Sequence, residues 1–269
     1  MLSTPISPEH QFFRESLRSF IKKEILPHID EWESAGKIDK AIWRKMGEMG
    51  YLGLIYPEEY GGLDLDFYYS LIFCEELSYC FSGGFTISAL VIEYMSAPYL
   101  LKYGSTFLKE KYLSRVISGE LVSAIAITEP GAGSDVQNIK TTAIDQGDYF
   151  LVNGSKTFIT NGYYGDFYIT VVKTDPKAGS SGISLLLIDK GSEGLTTNKI
   201  QKLGWHASDT AELGFDNVKV PKDHLIGELG KGFKYLMGGL QLERLTAAIH
   251  SLATAESAVE YTLNYLKER

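Results

Sequence analysis

The hydrophobic period of this chain changes twice, and that pattern limits the folds open to it. Up to about residue 118, apolar residues recur every three or four positions, as on one face of a helix. Between Leu121 and Pro221 they alternate, or run together in segments rich in Thr, Val, Ile and Gly; past Pro221 the helical spacing returns. Strands in succession with no helix between them exclude a doubly wound sheet. The pattern predicts an α+β chain with an N-terminal helical domain over 1–120. A middle antiparallel β-sandwich or barrel over 121–222 follows, then the first helix or helices of a C-terminal helical domain over 223–269.

Local signals refine this. Ser7 caps a first helix with Pro8 at its opening position, where a missing N–H costs nothing. Phe13, Leu17, Phe20, Ile21 and Ile25 follow at helical spacing until Pro27. Asp39 caps a short helix that stops near Gly50, and Pro57–Gly62 is a turn. Two apolar helices are predicted at Phe67–Tyr79 and Thr86–Tyr103, the second kinked at Pro98, then an amphipathic one at Phe107–Ile117. In the middle region, Tyr149–Val152 and Lys156–Thr160 flank Asn153-Gly154-Ser155, which predicts a hairpin. Phe167–Lys173, Ile183–Ile188, Leu213–Phe215 and Val218–Val220 are further strands. Phe233, Leu236, Met237, Leu240, Leu245, Ala248, Leu252 and Val259 fit one long helix or two in tandem. Its apolar stripe has no later partner in the sequence, so a further helical segment or a second chain is expected to cover it.

Composition narrows the function classes. With 34 acids against 26 bases the formal charge is −8 and no basic run stands alone, which argues against a nucleic-acid groove or an anionic membrane patch. No stretch approaches ~18 uninterrupted apolar residues, so no membrane span is expected. Met1–Pro5 lacks the basic flank and apolar core of a signal peptide. Cys74 and Cys80 have no metal-ligand or CxxC spacing, and the five histidines are scattered, so no metal site is expected. A soluble protein with reduced thiols, cytoplasmic or of the mitochondrial matrix, is the expectation.

The stretch with most chemistry is Ala126-Ile127-Thr128-Glu129-Pro130-Gly131-Ala132-Gly133-Ser134-Asp135-Val136. It leaves a strand and turns through two glycines with two hydroxyls and two acids. Free N–H groups in such a turn form a nest for anionic oxygens; read alone, the turn is equally an ordinary tight loop. It has neither the Gly-Lys-Ser/Thr ending of a Walker loop nor the third glycine and following helix of a dinucleotide fold.

These words closely resemble the acyl-CoA dehydrogenase family, whose middle domain carries a Thr-Glu-Pro-x-Ala-Gly-Ser-Asp loop. Pro57-Glu58-Glu59-Tyr60-Gly61-Gly62, Gly154–Gly162, Lys202–Thr210, Asn217–Pro221, Gly230-Lys231-Gly232-Phe233 and Glu243-Arg244-Leu245 resemble further family segments, in family order. The resemblance implies FAD held without a dinucleotide fold. Ile125, Ala126, Ile127 and Thr128 would lie along the flavin, and Ser134 would sit where the pyrophosphate meets the thioester ligand. Phe158, Ile159 and Thr160 would cover the other side, with the Thr160 hydroxyl near the reactive flavin nitrogen. Phe158 stands where many members have Trp, which keeps an aromatic wall.

The implied reaction is α,β-dehydrogenation of an acyl-CoA thioester to the trans-2-enoyl thioester, with electrons passed to an electron-transferring flavoprotein. It needs a carboxylate to take the α-proton, and a Glu in a dry pocket has its pKa raised toward working pH. Glu243, directly before Arg244, resembles the arrangement of the isovaleryl- and long-chain-type members, whereas many others carry the base further along the chain. Gln241 and Arg244 are implied contacts for the substrate, and Glu129 has a structural role in the family. A homo-oligomer, dimer or tetramer, or a separate C-terminal helical chain is the expected partner. A carrier-protein thioester, an oxygen-using relative, and a non-catalytic subunit that needs a second chain remain as alternatives.

Overall fold

The computed structural model describes residues 6–269, so the reading of Met1–Pro5 lies outside the described residues. The chain opens with α1 (Pro8–Phe20), whose Ser7 cap accepts from the His10 N–H at 3.3 Å. The His10 Nδ1 accepts in turn from the Ser7 N–H at 3.1 Å, which leaves Nε2 to donate to Asp66 at 3.1 Å. Asp66 is itself the cap of the later helix at Phe67–Ser78, so one imidazole ties two helix starts together. After α1 the helix widens into a π-turn at Ile21–Ile25 and a 3₁₀ turn at Leu26–His28 around Pro27, then continues as α2 (Ile29–Ala35). α3 (Ala41–Glu48) starts after Asp39, whose carboxylate accepts from the Ala41 N–H at 3.0 Å.

α4 (Phe67–Ser78) packs on α1 through a buried carboxylate: Glu76 accepts from Arg14 at 2.7 Å and from Arg18 at 2.8 Å. The next helical stretch is α5 (Gly83–Leu90), a π-turn at Val91–Ser96, and α6 (Ala97–Tyr103). The expected kink is therefore this π-turn, placed just ahead of Pro98, whose missing N–H falls in the first turn of α6. Gly83–Tyr103 is long and apolar enough to cross a membrane, but most of it is buried as the central helix of the core. α7 (Thr106–Leu108), a π-turn and α8 (Ser114–Ile117) complete the helical part.

Eight strands follow: β1 (Ser123–Ala126), β2 (Thr142–Asp145), β3 (Tyr149–Ile159), β4 (Phe167–Lys173), β5 (Ile183–Asp189), β6 (Leu195–Lys199), β7 (Ala211–Pro221) and β8 (Leu225–Ile226). They form one sheet in the order β6-β7-β3-β2-β4-β5-β8, with β1 beside β4. The ladders are antiparallel except β1 with β4 and β2 with β4. A single helix, α9 (Gly232–Glu268), ends the chain, which resolves the choice between one helix and two.

The hairpin expected at Asn153-Gly154 is not there. β3 runs straight through it, paired with β7, and the register shifts by a bulge between Val152 and Gly154. Gly154 has φ +146°, and a Cβ there would come within 2.5 Å of the Thr141 Oγ1. Asn153 accepts from the Asn217 N–H at 2.9 Å across the ladder, so the dipeptide marks a bend in a long strand and not a reversal. Leu213–Phe215 and Val218–Val220 are likewise one strand, β7, in which Asn217 takes φ +55°.

Along β4, Phe167, Ile169 and Val171 face the helices, while Tyr168 and Val172 face a second core enclosed by the curled sheet; β5 divides in the same way. Both faces are buried, which is why these strands read as unbroken apolar runs.

Candidate functional site

The glycine turn follows β1. Glu129 and Ala132 exchange backbone hydrogen bonds at 3.0 and 3.1 Å, which folds Pro130-Gly131 outward. Among the described residues, the N–H groups of Gly131, Gly133 and Ser134 and the Ser134 hydroxyl donate to no protein acceptor. Nothing lies within 4 Å of where a Cβ on Gly131 or Gly133 would stand, and Ser134 is exposed. The turn thus presents free donors on open surface, a polarity that suits an anionic ligand such as a pyrophosphate.

Beneath the turn is a clamp that the sequence pattern did not reveal. Lys156, with its side chain fully buried, donates to the Ile127 carbonyl at 2.9 Å and to Glu129 Oε1 at 2.8 Å. Glu129 also accepts from the N–H groups of Thr141 at 3.0 Å and Lys140 at 2.5 Å. Burial pushes the Glu129 carboxyl up, but the Lys156 ammonium and these donors outweigh it and hold the group below its usual range. Burial pulls the Lys156 ammonium down to about 8, against the pull of Glu129. Glu129 thus has the structural role expected of it. The signal for Lys156 was its place inside the Gly154–Gly162 segment.

The two segments expected to flank a flavin are side by side: the Thr157 N–H donates to the Thr128 carbonyl at 2.9 Å. Phe158 and Thr160 point outward and Ile159 inward. Phe158 is 66% exposed and has φ +60°, an uncommon and strained conformation for a bulky residue, with its ring held out from the sheet. Ala126 and Ile159 are buried in the sheet core, so they offer a ligand only their backbone; Ile125, Ile127 and Thr128 are half-buried. Asn161, also at positive φ, ties this corner to the helices by donating to the Ser88 carbonyl at 3.1 Å and the Ser123 carbonyl at 3.2 Å.

Glu243 is on α9, half-buried, and accepts from the Tyr99 hydroxyl at 2.8 Å. Burial raises its pKa, and Tyr99 and Arg244 pull it part of the way back. Tyr99 of α6 and the half-buried Leu242 stand beside it, while Leu245 is 47% exposed. Gln241 and Arg244 are exposed. Among the described residues, no hydrogen bond joins Gln241, Glu243 or Arg244 to the 125–134 or 158–160 segments. The link is the π-turn Val91–Ser96: α9 packs against it, β1 packs against it, and the Ser96 and Ser123 hydroxyls meet at 2.6 Å. Tyr99 did not stand out in the sequence, and its only trace there is the glycine pair Gly238-Gly239 inside an otherwise unbroken helix.

The chain matches the model of the acyl-CoA dehydrogenase N-terminal domain over residues 7–120 and of the middle domain over 124–218. It is 41% identical over 268 residues to the mitochondrial long-chain specific acyl-CoA dehydrogenase of Mus musculus, covering 98% of this chain and 61% of that one. It is similar to the crystal structure of acyl-CoA dehydrogenase from Geobacillus kaustophilus, with TM-score 0.95, 46% identity, and coverage of 98% and 70% of the two chains. Acyl-CoA dehydrogenase complexed with FAD from Bacillus anthracis superposes with TM-score 0.92 at 31% identity, covering 100% of this chain and 47% of that one. The chain therefore spans about three-fifths of the length of the curated relatives it matches. On these matches, over nearly all of its residues, the chain belongs to the acyl-CoA dehydrogenase family.

Proposed function

We propose that this chain acts in the α,β-dehydrogenation of an acyl-CoA thioester, with FAD as cofactor and Glu243 as base. The observation that carries this reading is the environment of Glu243. It is a carboxylate raised by burial, held by one phenolic donor, on the helix that shares a π-turn with the candidate flavin strand.

FAD fits the residues present. The free donors of Gly131, Gly133 and Ser134 would take the pyrophosphate, and Ile125–Thr128 with Phe158, Ile159 and Thr160 would flank the ring. When bound, FAD supplies the acceptor for the hydride that leaves the β-carbon. The chain's own residues do the rest. Glu243 takes the α-proton on a carboxylate oxygen, as the α,β double bond forms. Its raised pKa brings its basicity closer to that of the acidified α-carbon than an exposed carboxylate would have. Ser134 would bridge cofactor and thioester, while Gln241 and Arg244, exposed next to the base, would contact the acyl-carrier arm. The ring of Phe158 would shield the reacting face from water.

By the same reading, electrons leave to an electron-transferring flavoprotein. The exposed apolar residues of α9, among them Leu252, Val259, Tyr261 and Leu266, are covered in a dimer or tetramer or by a separate helical chain.

The test is Glu243→Gln in the FAD-bound protein, read by anaerobic stopped-flow reduction with a panel of acyl-CoA thioesters. Flavin reduction should slow by at least ~10², with binding of the thioester nearly unchanged. Reduction at the parental rate would place the base elsewhere.

A further inference from the structure

Gly238 and Gly239 stand side by side in the interior of α9, where glycine is the poorest choice after proline. A Cβ on Gly238 would make only an ordinary contact with the Tyr103 hydroxyl, at 3.7 Å. Gly239 is different. A Cβ there would overlap the Tyr99 hydroxyl, and it would sit 3.2 Å from Glu243 Oε1. Tyr99 is 2% exposed, its hydroxyl donates to that same oxygen at 2.8 Å, and burial beside a carboxylate keeps the phenol protonated. The route from the α6 backbone to the carboxylate thus passes over Gly239, where α9 presents no side chain.

We propose that Tyr99 is a positioning residue for the base, with Gly239 as the gap that admits its hydroxyl. The hydroxyl occupies one carboxylate oxygen of Glu243, fixes the rotamer, and leaves the other oxygen to receive the proton. This rests on the reading of Glu243 as base. Donation to the charged form also stabilises the carboxylate against the desolvation around it. The crevice beside Glu243 presents Lys102 and Tyr103 of α6 and Tyr94 of the π-turn, and Arg244 lies on its own helix. α4, also packed on α9, carries Glu75 and Glu76, which are taken up by Arg14 and Arg18. Tyr99 is the hydrogen-bond donor among these, so its loss should be read directly in the titration of Glu243.

The experiment compares Tyr99→Phe and Gly239→Ala with the parent. Carbon-13 NMR of glutamate-labelled protein follows the Glu243 carboxyl, assigned by the signal lost in Glu243→Gln, and it needs no cofactor. Tyr99→Phe should raise the titration midpoint by about 0.5 to 1 in pH. In the FAD-bound protein the acidic limb of kcat/KM should move by the same amount, roughly three- to tenfold slower on that limb, with thioester affinity changed less than about twofold. Gly239→Ala should give the same displacement, because its methyl group must push the Tyr99 hydroxyl off Glu243; the better helix propensity of alanine offsets part of the cost of that overlap, so this variant reads the contact independently if Tyr99→Phe folds poorly. A midpoint unmoved in both variants, with Glu243→Gln inactive, overturns the positioning role alone. A Glu243→Gln variant that reduces flavin at the parental rate overturns the base assignment, and the positioning role with it.

Discussion

Lys156 Nζ lies 2.8 Å from Glu129 Oε1 with the two side chains 0% and 6% exposed, so a complete ion pair is sealed under the glycine turn. Both partners also hold backbone. Lys156 holds the Ile127 carbonyl, and Glu129 holds the Lys140 and Thr141 N–H groups. A buried pair gains little over apolar residues of the same shape, but breaking it leaves a charge without a partner. Its use here is geometric: it fixes where β1 ends and where the turn of Gly131, Gly133 and Ser134 begins.

Replacing Glu129→Gln should therefore destabilise the fold by about 3 kcal/mol at pH 7, since Lys156 would keep its burial and lose its counter-ion. The sign with pH follows from the lysine. Its folded pKa is depressed to about 8, so its contribution to stability is present above the unfolded value and is lost as pH falls through the folded one. Without Glu129 the folded value drops further. The deficit of the variant should shrink as pH rises from 7 to 9, measured as the difference between paired urea melts. A deficit that stays constant would mean that Lys156 is not the group left stranded.

Ser134 is exposed in the turn and has no hydrogen-bond partner among the described residues, so its replacement tests the site separately from the fold. Ser134→Leu should weaken FAD binding by about tenfold or more, the order expected from losing a hydrogen bond to a charged group. The melting temperature of the cofactor-free protein should be unchanged. Fluorescence titration with FAD measures the first quantity and thermal melting the second. Equal affinity in parent and variant would remove Ser134 from the site.

The order helix, strand, helix was legible because the period of apolar residues is set by which faces are buried. The glycine turn was legible as a turn from its glycines, and as a candidate site only from the resemblance of the whole Thr128–Asp135 stretch to a family segment. What escaped was long-range. Asn153-Gly154 carries a strong local turn signal, yet β7 supplies a partner along the whole of β3, and the pairing overrides it. Lys156 sits among polar residues in sequence, and only the meeting of β3 with the loop after β1 buries it against Glu129. Tyr99 and Glu243 are 144 residues apart, and no period relates them.

Gly154 gives a direct test of the bulge. Its φ of +146° is open to glycine and strained for any other residue, and the Thr141 Oγ1 stands 2.5 Å from where a Cβ would be. Gly154→Ala should cost at least about 2 kcal/mol, from backbone strain of about 1–3 kcal/mol with the clash in addition. If residues 153–155 were instead a hairpin turn at the surface, alanine would meet no such contact and the loss would be smaller. The movement of the urea midpoint at unchanged slope decides between these.

Glu93 supplies the last prediction. It sits in the π-turn shared by β1 and α9, fully buried, with Gly53 and Leu54 N–H groups donating to it at 2.9 and 3.1 Å. Burial raises its pKa from 4.5 to about 7, against the pull of those two donors. The unfolded carboxyl loses its proton near 4.5, so this group contributes stability that is complete below that pH and is lost as pH rises through about 7. Glutamine copies the protonated acid in size and never ionises, but it has one acceptor oxygen where the carboxyl has two, so the Gly53 or the Leu54 N–H meets its NH2 and a constant cost is added at every pH. Glu93→Gln should nevertheless gain on the parent as pH rises. This gap should widen by roughly 2.5 kcal/mol between pH 5 and pH 8, because a tenfold change in a proton-binding constant corresponds to about 1.4 kcal/mol. Urea melts of both proteins at the two pH values measure the gap, and taking the difference cancels every other titrating group. A gap that fails to widen with pH would show that the Glu93 carboxyl titrates at its ordinary value. The π-turn beneath the candidate site would then carry no ionisable strain.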